Sequence, residues 1–175
     1  MKRMFFVLLG IFLFMQTGNA QEKKEKLKTV WPDDHKWKVG FDQEDKAMHV
    51  LEWVPENESH EHWTILGTMI TITGAQNVPM ENIMMAMYEQ VKLNAPKSTV
   101  TEIELNEAGE HHWIVFKIES HRFHHHNTPE SRLYYVIQGK SSLYVNIVTI
   151  KEKSLSHHFV DKWKAIFKAS ELVYE

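Results

Sequence analysis

Histidine is the residue type in this chain best suited to chemistry. There are twelve, clustered as His60-x-His62, His111-His112, His121-x-x-His124-His125-His126 and His157-His158. Neutral imidazole ligates zinc, copper and nickel, and it gains a proton under mildly acidic conditions. On a strand, His60 and His62, or His124 and His126, would share one face roughly 6.5–7 Å apart. A chelate then needs a third ligand to converge, with Glu58, Glu119 and Glu130 as the nearest in sequence. These spacings predict a transition-metal site (Zn, Cu or Ni) at His121, His124, His125 and His126, with His60 and His62 as further ligands. The competing reading is equally physical. The run lies just before Asn127-Thr128-Pro129-Glu130, a hairpin-loop sequence, and histidines at a loop tip are often simply solvated. No His-Glu-x-x-His is present, so helical i, i+4 chelation is not expected.

The second constellation is aromatic. Trp53 and Trp63 flank the turn Pro55–Ser59, and Glu58 and His62 lie beside them. Two large rings next to polar groups predict a ligand-binding groove formed by Trp53, Glu58, His62 and Trp63. Catalytic patterns are weak by comparison. Glu102 with Glu104, and Glu56 with Glu58, have the same-face spacing of an acid–base pair, which is also the spacing of a solvated strand face. Ser59-His60 and Ser120-His121 are adjacent, and neighbours on a strand point to opposite faces. Neither a Gly-x-Ser-x-Gly elbow nor a glycine-rich phosphate loop occurs. The expected role is therefore a non-enzymatic binding or accessory module for a protein or small ligand. A periplasmic metal-binding protein is the alternative.

Hydrophobic periodicity supplies the elements that must position these residues. Trp37, Val39 and Phe41 alternate, as do Met48 and Val50, predicting a first hairpin. Ile65 to Thr73 reads as a β-branched strand. Pro79 opens a helix whose apolar stripe (Met80, Ile83, Met84, Met87, Tyr88, Val91) ends before Pro96. Strands are expected near 98–105, 111–123, 131–138 and 142–151. A second helix begins at His157, capped by Ser156, with Phe159, Trp163, Ile166 and Phe167 on one face. Short links between consecutive strands require antiparallel pairing. The predicted fold is α+β: a single antiparallel sheet backed by two amphipathic helices.

Composition sets the outer limits. The 175 residues are 43% hydrophobic and 25% charged, a globular balance. Lys2 and Arg3, the apolar run Phe5–Met15 and the small residues Gly18-Asn19-Ala20 form a secretory signal, with cleavage expected after Ala20. As a helix that run would reach only about 16 Å, too short to span a bilayer. An exported chain without a membrane-spanning segment is expected, periplasmic or secreted. Without Lys2 and Arg3, 18 basic residues face 23 acidic ones, a formal charge of −5 that offers nucleic acid no general attraction. Protonating all twelve histidines would carry it to +7. The absence of cysteine excludes disulfides, thiol catalysis and thiolate metal sites. Residues 21–34 read as a charged flexible lead and 35–175 as one domain.

The segment Leu51-Glu52-Trp53-Val54-Pro55-Glu56-Asn57-Glu58, followed by Trp63-Thr64, resembles a pattern in small exported bacterial domains. The layout from residue 37 onward is similar to the PsbP-like α/β/α sandwich. That resemblance implies an accessory or binding role and no catalytic residues.

Overall fold

Alternating apolar side chains form the strands largely where periodicity places them. The computed structural model describes residues 24–124 and 127–175. The expected leader (residues 1–20) lies outside them, as do His125 and His126. In chain order the strands are β1 (Glu25–Lys28), β2 (Trp37–Glu44), β3 (Met48–Pro55) and β4 (Ile65–Thr73). Helix α1 (Met80–Asn94) follows, then β5 (Thr99–Asn106), β6 (Trp113–Ser120), β7 (Glu130–Gln138) and β8 (Ser142–Ile150). Helix α2 (His157–Lys168) and β9 (Glu171–Tyr174) complete the chain. Pro79 precedes the first turn of α1, and the Ser156 hydroxyl accepts the Phe159 N–H at the start of α2.

The architecture corrects the single sheet backed by two helices. The described residues are mostly β, with nine strands in two antiparallel sheets. Seven strands run in the order β2-β3-β4-β8-β7-β6-β5, and β1 pairs with β9 in a separate ribbon. The helices do not share a face. Met80, Ile83 and Val91 of α1 pack with Ile114, Phe116 and Val136, whereas Trp163 and Phe167 of α2 pack with Val115, Tyr135 and Ile137. Adjacent strand residues point to opposite sides, so the two helices cover opposite sides of the sheet. This is why β8 is buried along nearly its whole length, without the alternation of a half-solvated strand. Burying Phe167 completely stabilises the fold by roughly 1.5–3 kcal/mol.

Within the expected lead (residues 21–34), Glu25–Lys28 form the strand β1. Leu27 enters the α2-side core, and Lys24 and Glu175 exchange backbone hydrogen bonds at 2.7 and 3.2 Å. Behind the ribbon, Asn146 donates to the Thr29 hydroxyl at 2.8 Å, anchoring it to the large sheet. Among the described residues, no helix is long and apolar enough to cross a membrane.

Candidate functional site

Strand register decides which of the chemically apt residues meet. Ile65, the first residue of β4, pairs with Ile150, the last of β8. This brings the 58–64 turn beside the 151–156 link and the first turns of α2. A cleft of about 550 Å³ opens there, and its apolar wall is formed by Ile65, Ile150, Phe159 and Trp163. Lys151, Lys162, His35, His158 and Glu152 supply its ionisable groups. A shallower recess of about 460 Å³ adjoins it, sharing Thr64 and Lys151 and lined further by Glu58, Glu61, His62 and Trp63.

The tryptophan groove predicted from sequence therefore divides. Glu58, His62 and Trp63 gather in the recess, and the Lys151 ammonium lies 4.4 Å from the Trp63 ring centre, a cation–π contact. Trp53 does not join them. Its ring packs against Trp31 at 4.9 Å, and Trp31 in turn lies 5.7 Å from buried Trp163, within a half-buried aromatic stack. Glu58 shapes the turn, since its two oxygens accept the Thr64 N–H at 2.6 Å and the Thr64 hydroxyl at 2.7 Å. Ser59 and His62 close the intervening bend with reciprocal backbone bonds. Glu61 is held below the ordinary carboxylate range by hydrogen bonds from its own backbone and from Ser59.

On the opposite wall, the Lys162 ammonium meets Asp34 at 2.5 Å. That bond holds the Asp34 carboxyl below its usual value. Lys151 has no carboxylate partner among the described residues. Helix α2 has no acidic residue in its first turn, and the positive end of its dipole, capped by the Ser156 hydroxyl, lies beside the cleft; Glu119 accepts the Leu155 N–H just before it at 2.7 Å.

The histidines are dispersed. His60 pairs with Glu52 at 3.1 Å and stacks on Phe41, and His111 Nδ1 contacts the Gln138 carbonyl at 2.9 Å. His121 and His124 are exposed on the β6–β7 loop, whose backbone is tied to α1 by the His124 N–H on the Asn94 carbonyl. The other two members of that predicted metal set, His125 and His126, lie outside the described residues. No group of three metal-ligating side chains converges among the described residues.

The paired carboxylates are accounted for as well. A bulge separates Glu102 from Glu104, and Glu104 sits between Lys168 at 2.6 Å and Lys164 at 3.6 Å. These contacts, the Lys168 hydrogen bond foremost, lower its proton affinity.

Sequence reasoning passed over Lys151, Phe159, Ile65 and Ile150 as site residues. Phe159 reads as helix core and Lys151 as the end of a strand, and only the long-range β4–β8 pairing brings them to one cleft. No family model matches this sequence, and no curated protein resembles it closely enough to match.

Proposed function

We propose that the protein is an exported, non-enzymatic module that binds a small ligand in the cleft between Thr64 and Trp163. The observation that carries this reading is the apolar wall of Ile65, Ile150, Phe159 and Trp163, set in a cleft with ionisable groups around it. An apolar surface with a few placed polar groups is the general form of a small-molecule site. The cleft volume of about 550 Å³ suits a ligand of one or two rings or a short acyl chain. Export rests on the leader-like residues 1–20, and the PsbP-like resemblance supports an accessory or binding role.

Phenylnaphthylamine, a neutral probe that fluoresces in apolar surroundings, tests the reading. Residues 21–175 should bind it saturably, and Phe159→Asp should weaken binding at least tenfold. Asp suits the first turn of a helix, so that variant should keep its fold. Equal binding by the parent and the Phe159→Asp protein would overturn the assignment of the cleft.

A further inference from the structure

We infer that the ligand of this cleft is an organic anion, its acidic group seated between Lys151 and the first turn of α2 and its apolar body against Ile65, Ile150 and Phe159. This deepens the binding reading and rests on it. The charge of the lining carries the argument. The chain has an excess of acids, 23 against 20 basic residues, yet the lining of the cleft carries Lys151 and Lys162 against one carboxylate, the exposed Glu152, with Asp34 beside it bound to Lys162.

The cations are not equivalent. Lys162 is neutralised by Asp34 at 2.5 Å, whereas Lys151 contacts only the π face of Trp63 among the described residues. A cation over an aromatic ring is held in place while keeping its charge available to a partner. The amide end of α2, which has no acidic residue in its first turn, adds field of the same sign from the other wall. Glu58 and Glu61 line the recess that shares Lys151, so the acidic group is placed on the α2 side of that ammonium. A carboxylate, sulfonate or phosphate monoester would present the same chemistry to these groups.

The test compares phenylnaphthylamine with anilinonaphthalene sulfonate, which has the same aromatic body plus one negative charge. The parent protein should bind the sulfonate at least tenfold more tightly than the neutral amine. Lys151→Met keeps the side-chain stem on Trp63 and should abolish that preference while leaving the neutral probe's affinity within twofold. Lys46→Met, in the exposed β2–β3 turn, should change neither affinity. If both probes bind equally to the parent, or if Lys151→Met retains the preference, the anion inference falls and the cleft stands. If Phe159→Asp leaves both probes bound as before, the cleft itself is misassigned. A preference for the sulfonate that Lys46→Met also removes would mean diffuse surface charge, overturning the placement at Lys151.

Discussion

The Glu25 carboxylate accepts the Lys140 backbone N–H at 2.8 Å, joining the first described strand to the β7–β8 turn across 115 residues of chain. Ser141 N–H and the Tyr174 hydroxyl also donate to it, at 3.2 and 3.0 Å. Gly139 leaves the space this requires, because a Cβ there would lie 2.2 Å from Glu25 Oε1. Glu25 is thus a buried plug for a turn that would otherwise hold unpaired donors.

Burial alone would raise the Glu25 pKa, but the Lys140 and Ser141 hydrogen bonds outweigh it and hold the group below its reference of 4.5. A depressed folded-state value means stability that is complete above the unfolded pKa and lost as pH falls through the folded one. Thermal melts of the parent should therefore drop more steeply from pH 5 towards pH 3 than those of Glu25→Gln. At pH 7 Glu25→Gln should cost about 1–3 kcal/mol, because it turns a donor towards donors. Parallel pH profiles for the two proteins would refute the role given to this carboxylate.

Trp31 lies so close to the β4 backbone that a Cβ built on Gly67 meets its ring at 2.5 Å. The ring is wedged among Trp37, Trp53 and Trp163 and has little room to yield. Gly67→Ala should consequently destabilise by about 1–3 kcal/mol in urea melts, the range for overpacking a filled core. Gly74, with open space at its Cβ but φ near +77°, makes an instructive companion. Its Ala variant should lose roughly 1 kcal/mol through backbone strain while leaving the tryptophan emission unchanged.

Much of the secondary structure was legible in the sequence, and little of the site was. The α1 stripe and the Ser156 cap are local signals, recoverable from spacing and one side chain. The sharing-out of the helices between two faces was not, since a strand such as Ile114-Val115-Phe116 carries apolar residues on both sides and suits either arrangement. β1 escaped notice because Glu25-Lys26-Leu27-Lys28 has only one apolar side chain. Its place depends on β9, about 145 residues away, and on the turn that Glu25 plugs. Trp53 and Trp63 looked equivalent around their turn, but their neighbours, Trp31 and Lys151, come from distant segments.

Glu104 bridges β5 to α2 through Lys168 and Lys164, which makes it a surface tie rather than an acid–base partner for Glu102. Its side chain is 36% exposed, so water screens the pair. Glu104→Gln should lower stability by less than about 1 kcal/mol, and that small loss should shrink further in 1 M salt as screening shortens to roughly 3 Å. A loss of several kcal/mol, or one insensitive to salt, would show the carboxylate to be structural in some other way.

The sharpest contrast is between the two tryptophans. Trp53 belongs to the aromatic stack with Trp31, while half-buried Trp63 rests beneath Lys151 at the edge of the cleft. Removing Trp53 strips the support from Trp31 and opens space beside Trp163, so Trp53→Ala should cost about 2–4 kcal/mol. Trp63→Ala leaves that stack whole and should cost less than about 1.5 kcal/mol. Its effect should fall on binding instead, because the ring holds the Lys151 ammonium in place. Affinity for anilinonaphthalene sulfonate should drop at least threefold in Trp63→Ala, with the neutral probe less affected. Urea melts and probe titrations on the same two proteins separate these effects. Comparable destabilisation by both substitutions, with probe affinity unchanged in Trp63→Ala, would return Trp63 to the ranks of structural residues.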